Sequence, residues 1–247
     1  MRIFIIRHAD PYYPTDSLTE KGQREAELLS KRLIGENIDA FYLSPHGRAQ
    51  LTAKPTMDKM GKKGVVCEWL REFPGQLSQK IPTRAVGREP AGTRCLWNLP
   101  PEEWVFAPGI YDSEGWRNQP IYEGCGVEER FDKIAKSFDQ LVAEHGFVRE
   151  GGLYRILPGF ENSEETIALF CHLGLGNALL AHIANFSLPA VWHTIFLPTS
   201  SVTTVFMEKH RDTPIAHARL VGIGDTSHLF AGGEPISCAG LFTDRLR

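Results

Sequence analysis

The chain has 247 residues, 42% of them hydrophobic and 23% charged, and a formal net charge of −3. That length is enough for a sizeable core, and the slightly acidic balance excludes the global basic field that draws nucleic acid or an anionic membrane surface. No apolar stretch approaches the ~20 residues of a bilayer-spanning helix, and the first residues lack the basic region and long apolar core of a signal peptide. The five cysteines, at 67, 95, 125, 171 and 238, are scattered with no Cys-x-x-Cys pair. This predicts reduced thiols in a cytoplasmic protein, with neither a disulfide framework nor a zinc knot. Cys171, inside the run Ile167-Ala168-Leu169-Phe170, reads as a core residue and not as a nucleophile.

The first element is a short apolar strand, Ile3-Phe4-Ile5-Ile6, that ends on Arg7-His8-Ala9-Asp10-Pro11. Thr19 reads as an N-cap with Glu20 in the first turn. Gly22, Ala26, Leu29 and Leu33 follow at spacings of 4, 3 and 4, one stripe of a helix that ends near Gly35. Ala40-Phe41-Tyr42-Leu43 reads as a strand. Ser44-Pro45 then caps a helix that carries Ala49, Ala53, Met57 and Met60, with Pro55 expected to kink it. Val65-Val66-Cys67 is a further short strand.

Residues 76–125 break this rhythm with six prolines (82, 90, 100, 101, 108, 120), many glycines, and Trp97, Trp104, Phe106, Tyr111 and Trp116. The segment is too aromatic for a disordered linker and too irregular for ordinary helices. It reads as an ordered insertion, within one domain spanning 1–247, that covers the sheet edge. The plainer reading of its tryptophans is that they pack into a small satellite core, which can coexist with a role in gripping substrate. Regular structure resumes with Val127, Phe131, Ile134, Phe138, Leu141 and His145, an amphipathic helix of about five turns stopped by Gly146. Thr166 to Cys171 form a strand that ends on His172-Leu173-Gly174, and a helix follows from Leu175 to Phe186. Val202 to Met207 and Ala216 to Val221 read as a terminal strand pair. The βαβα order predicts an α/β fold, three layers (α/β/α) around a mostly parallel central sheet.

Two strands therefore end on histidine, His8 and His172. A third runs into Ser44-Pro45-His46-Gly47-Arg48, and the short strand at 65–67 leads to Leu70-Arg71-Glu72. Each signal alone is weak, because a lone strand-end histidine is usually a hydrogen-bonded structural residue. Two histidines, two arginines and a carboxylate, all at βα junctions, are much harder to ascribe to chance, because ligands bind at the carboxyl edge of such sheets. Glu68, Asp112 and Glu114 are rival acids. Asp10 reads as a turn residue and His46 as lining the loop entry. His228 is read as bonding backbone, and His145, His182, His193, His210 and His217 as structural.

In order along the chain, Arg7-His8-Ala9, Leu18-Thr19-Glu20-Lys21-Gly22-Gln23, Ser44 to Ala53, Leu70-Arg71-Glu72 and His172-Leu173-Gly174 resemble the signature blocks of the histidine phosphatase superfamily. This family has the phosphoglycerate mutase-like fold. The resemblance covers residues 1–75 and about 160–230 and leaves 76–125 unmatched. Two departures stand out: Ala9 and Leu173 occupy positions where glycine is usual.

The resemblance implies a metal-independent phosphomonoesterase that needs no cofactor and acts on a small-molecule phosphomonoester. His8 would attack phosphorus to form a phosphohistidine. Arg7, Arg48 and His172 would bind the phosphoryl oxygens, and helix N-termini after Ser44 and Gly174 would add backbone N–H groups. Glu72 would protonate the leaving oxygen and later activate water. Phe73-Pro74-Gly75-Gln76 does not reproduce the segment that mutases carry after this acid, so hydrolysis is expected ahead of mutase activity. A catalytically idle phosphate- or phosphoprotein-binding module is the alternative of another class. Retention of both His8 and Glu72 argues against it, since binding alone needs only the cations. Arg84, Arg88 and Arg94 are expected to add anion recognition, and the insertion's aromatics to clamp an apolar or ring-bearing substrate.

Overall fold

The computed structural model describes residues 1–73, 96–97, 99 and 101–241. Arg84, Arg88, Arg94 and Cys95 lie outside the described residues. In chain order the elements are β1 (Arg2–Arg7), β2 (Pro11–Tyr12), β3 (Ser17–Leu18), α1 (Glu20–Leu33), β4 (Ala40–Leu43), α2 (Gly47–Met60), β5 (Gly64–Val66) and α3 (Pro101–Trp104). They continue with α4 (Val127–Glu144), β6 (Phe147–Glu150), β7 (Leu153–Ile156), β8 (Thr166–Cys171), α5 (Leu173–Ala184), α6 (Leu188–Thr194), β9 (Val202–Lys209), β10 (Ile215–Asp225) and α7 (Ser227–Ala231).

The main sheet has the order β5-β4-β8-β1-β9-β10-β7-β6. Strands β5, β4, β8 and β1 pair in parallel, and the rest of the sheet is joined by antiparallel pairs, with only β9 and β7 running against the common direction. β1 sits beside β8 with Arg7 opposite Cys171, so both strands empty at one level, and His8 and His172 emerge side by side. β4 flanks β8 on its other side and delivers Ser44 to the same edge.

Alternation along β1 divides the core into two faces. Ile3 and Ile5 pack with Phe131, Phe138 and Leu141 of α4 and with Leu175 and Leu179 of α5. Phe4 and Ile6 pack on the opposite face with Leu29 and Leu33 of α1 and Ala53 of α2. These faces give the expected α/β/α layering.

Local chemistry explains most boundaries. The Thr19 hydroxyl accepts from the Gly22 amide and caps α1. Gly146, at φ +89°, ends the turn after α4. Two helices start two residues away from the expected positions. α2 begins at Gly47, after His46, and Ser44-Pro45 lie outside it. α5 begins at Leu173, directly after His172, and ends with Asn185 in the left-handed region (φ 55°). α2 runs continuously through Pro55. The hairpin β6–β7 and helices α6 and α7 went unpredicted. Trp104 and Trp116 are buried within the main core cluster and do not form a satellite.

Phe41 and Phe170 stack at 6.2 Å between adjacent parallel strands, both fully enclosed. Phe170→Ala should therefore destabilise the fold by about 3–5 kcal/mol, read as a lower urea midpoint at unchanged m-value.

Candidate active site

Three β-strand ends and one helix start form the site. β1 contributes Arg7 and His8, the β4–α2 turn Ser44, His46 and Arg48, the segment after β5 Glu72, and β8 His172. All five predicted site residues come to this one edge.

His8 is almost wholly enclosed. Its amide donates to the Cys171 carbonyl at 2.9 Å, and its carbonyl accepts from the Ser200 amide at 3.1 Å. The ring Nδ1 lies 2.8 Å from the Ala9 carbonyl oxygen. A carbonyl can only accept, so the proton sits on Nδ1 and Nε2 keeps its lone pair. Burial, reinforced by the neighbouring Arg7 and Arg48 charges, holds His8 well below its ordinary pKa. Neutral imidazole is the form a nucleophile needs. Ala9 does not occupy a positive φ. The glycine usual at this position is therefore not required here, and the methyl group packs against Leu18 and Ala26.

Arg48 ties the site together. One guanidinium nitrogen donates to Asp16 Oδ1, and Nη2 donates to His172 Nδ1 at 3.2 Å. That leaves the proton of His172 on Nε2, which donates to Ser44 Oγ at 2.7 Å. The His172 ring lies 5.1 Å from the His8 ring and 5.1 Å, edge on, from His46. Burial and the nearby His8 and Arg48 hold His172 well below its ordinary pKa. Asp16 also accepts from the Gly47 amide at 2.7 Å, and its Oδ2 is 3.3 Å from His46 Nδ1. Burial would raise the Asp16 pKa, but the Gly47 amide and Arg48 outweigh it and hold the carboxyl below its usual range. Gly47 permits this approach, because a Cβ there would stand 2.5 Å from the Asp16 carbonyl oxygen.

Arg7 donates to the carbonyls of Leu197 (2.7 Å) and Ala239 (2.8 Å). Its Nε, like Arg48 Nε, is buried and has no hydrogen-bond partner among the described residues. Such donors are rare in folded proteins and mark a place where an anion would be satisfied. Glu72 is half-buried. Its Oε1 accepts from the amides of Phe73 (2.7 Å) and Leu175 (2.9 Å), and its Oε2 from that of Gly174 (3.3 Å). Desolvation raises its pKa and outweighs the three amides and Arg7, which pull it down.

These contacts correct one expectation. Of the helix N-terminal amides expected to face a phosphate, that of Gly47 at the start of α2 is taken by Asp16, and those of Gly174 and Leu175 at the start of α5 are taken by Glu72. His228 likewise bonds a side chain and not backbone, its Nε2 lying 3.0 Å from Ser200 Oγ. Among the rival acids, Glu68 is exposed and paired with Arg71, and Glu114 is paired with Arg117. Asp10 accepts from the Thr19 hydroxyl.

Asp16 was missed because it bonds to a turn thirty residues later, which no local period reveals. Glu25 was also missed. It is fully buried and accepts from the Asp10 amide (2.9 Å) and the Thr199 hydroxyl (3.0 Å), which clamps the chain after His8 to the loop that supports it. Ser200, next to Thr199, carries a positive φ of 56° while donating to His8. Its strain is held by this network.

Residues 3–109 match the model of the histidine phosphatase superfamily (branch 1), a span that includes Arg7, His8, Arg48 and Glu72. A candidate phosphoserine phosphatase of Hydrogenobacter thermophilus is 23% identical, covering 86% of this chain and 92% of its own. Among solved structures, phosphoserine phosphatase from Entamoeba histolytica, crystallised with phosphoserine, superposes with a TM-score of 0.58 at 18% identity, covering 92% of this chain and 98% of that one. A mycobacterial glucosyl-3-phosphoglycerate phosphatase gives a TM-score of 0.60 at 18% identity, with 91% and 99% covered. At these identities the superpositions establish the shared fold.

Asp16→Asn keeps a capping side chain but removes a negative charge from Arg48. Inhibition by inorganic phosphate should tighten roughly 10-fold, because a like charge near the anion is lost, while the thermal midpoint falls, because the single amide oxygen can accept from Arg48 or from the Gly47 amide but not from both. Competitive inhibition constants and thermal melts measure both.

Proposed function

We propose that this chain, a member of the histidine phosphatase superfamily, hydrolyses a small-molecule phosphomonoester through a phosphohistidine on His8. The observation that carries the reading is the locked tautomer: Nδ1–H is bound to the Ala9 carbonyl, and Nε2 is left as a lone-pair donor.

The steps follow from the site's own groups. A phosphoryl group seated beside His8 satisfies the unpartnered Nε–H groups of Arg7 and Arg48, whose planar guanidinium groups suit its oxygens. His172 can turn its Nε2–H from Ser44 to a phosphoryl oxygen, exchanging a neutral hydrogen bond for a charge-assisted one. His8 Nε2 attacks phosphorus in line, and the P–O bond to the leaving group breaks. Glu72, kept protonated more readily by its desolvation, gives its proton to the departing oxygen. In the second half Glu72 takes a proton from water, the water oxygen bonds phosphorus, and the P–N bond to His8 breaks, releasing phosphate. Phosphoryl transfer asks chiefly for this positioning and charge stabilisation. None of these steps calls on a metal ion.

Two outcomes test the reading. A labelled aryl phosphate, quenched in alkali, should leave base-stable label on the protein and none on His8→Ala; label surviving in that variant removes His8 as nucleophile. Product analysis should show inorganic phosphate and no isomerised ester, which separates hydrolysis from mutase activity.

The pH profile is fixed in sign by opposite shifts. Protonation of His8 abolishes attack, and its pKa lies well below 6.5, so activity fails only in distinctly acidic solution. Deprotonation of Glu72 removes the acid, and its pKa lies above 4.5, so turnover of an alkyl ester falls as pH rises through that raised value. Glu72→Gln should erase this alkaline limb and slow an alkyl ester by about 10²–10⁴, while an aryl ester with a better leaving group loses far less.

A further inference from the structure

Next to the phosphoryl site lies a cavity of about 360 Å³ lined by Trp97, Leu99, Trp104, Leu173, Trp192 and Phe196. We infer that this cavity receives the leaving-group side of the substrate, and that the substrate is a phosphomonoester whose alcohol carries an uncharged aromatic or similarly bulky apolar group. This rests on the phosphatase reading above and specifies its substrate class.

Three contacts put the cavity on the acid's side of the reaction. Trp97 packs over the start of α5, where a Cβ on Gly174 would meet the indole ring at 2.7 Å and Glu72 Oε1 at 3.0 Å. Trp97 therefore adjoins the carboxyl that protonates the leaving oxygen. Trp192 faces Trp97 at 6.0 Å and donates its Nε1–H to the Gly174 carbonyl. Phe196 lies under the Arg7 guanidinium at 5.6 Å. Leu173, one of the two departures from glycine, directly follows His172 and presents an isobutyl wall.

The described lining disfavours charge. Among the described lining residues the one titratable side chain is His193. Burial pushes its pKa down to about 4, and both ring nitrogens are engaged, Nδ1 with the Pro189 carbonyl and Nε2 with the Leu99 amide. A carboxylate or ammonium entering this cavity would lose its water without gaining a counter-ion among the described residues. The wall also offers a polar donor: the buried Trp104 Nε1–H has no partner among the described residues. That suits one neutral oxygen on the ligand. The volume exceeds twice the ~150 Å³ cavity that admits benzene, so a ring with substituents fits.

The test compares alcohols of similar leaving ability. Initial rates are measured for ethyl phosphate, 2-phenylethyl phosphate and phosphoserine on the wild type, Trp104→Ala and Leu99→Ala. The wild type should favour the phenylethyl over the ethyl ester by about 30-fold in kcat/KM, the value expected for burying one ring, and both variants should collapse that ratio. Because it is a ratio on one preparation, a loss of folded fraction cancels. A wild-type ratio near one, a preference for phosphoserine, or a high ratio untouched by both variants would overturn the pocket assignment, while phosphate release from ethyl phosphate would leave the phosphatase reading standing. No hydrolysis of any ester, with 2-phenylethyl phosphate still quenching tryptophan fluorescence and Trp104→Ala abolishing the effect, would support the pocket and defeat the phosphatase reading. Neither hydrolysis nor quenching would defeat both.

Discussion

Two neutral histidines are held beside two buried arginines, and the rest of the site is arranged around that constraint. Burying a guanidinium costs several kcal/mol unless its donors find acceptors. Arg7 finds them in the carbonyls of Leu197 and Ala239, which fixes where the loop before β9 and the segment after α7 must lie. Arg48 finds them in Asp16 and His172, which fixes the β2–β3 hairpin against the start of α2. The same cations then add to desolvation in keeping His8 and His172 unprotonated. One arrangement thus gathers positive charge and, in the proposed reaction, leaves the nucleophile free of its proton.

Glu72 shows the complementary logic. Carboxylates at a helix N-terminus normally ionise more easily, because amides and dipole favour the charged form. Here three amides act in that direction, yet loss of solvent acts more strongly and the net shift is upward. The proposed nucleophile and the proposed acid are displaced in opposite senses, His8 downward and Glu72 upward. Such a separation favours an unprotonated His8 beside a protonated Glu72.

The parts visible in the sequence were those built by one strand and the turn that follows it. Ile3 to Ile6 alternates between two cores, Thr19 caps α1, and the five residues proposed as catalytic all lie within two positions of a regular element's end or in the turn beyond it. Asp16, Glu25 and Ser200 were not visible, because each acts across a loop closure whose partner lies far along the chain. The starts of α2 and α5 were misplaced for a related reason. Their first amides are bound by Asp16 and Glu72 from other segments, so no neighbouring N-cap residue marks either start, and Ser44 drew the expected start of α2 two residues early. The hairpin β6–β7 is short and half exposed, and its four-residue strands give too little alternation to separate from loop.

The same division separates phosphate recognition from alcohol recognition. The proposed phosphoryl site draws on βα junctions of the parallel half of the sheet, whose level is set by strand register and whose side chains are held by Asp16, Glu25 and Ser200. The adjoining apolar wall combines Trp97 and Trp104 with Trp192 and Phe196 around α6 and with Gly240 near the end of the described chain, segments joined only by tertiary packing. Under the proposed reading that wall governs which alcohol fits, and it meets the site at Gly174, beside Trp97 and Glu72, and at Arg7, beside Phe196. Leu173 stands at the seam, one residue from His172 in the chain and part of the wall in space. Under the proposed reading, its side chain adds apolar surface on the alcohol side of the site, directly after the end of β8.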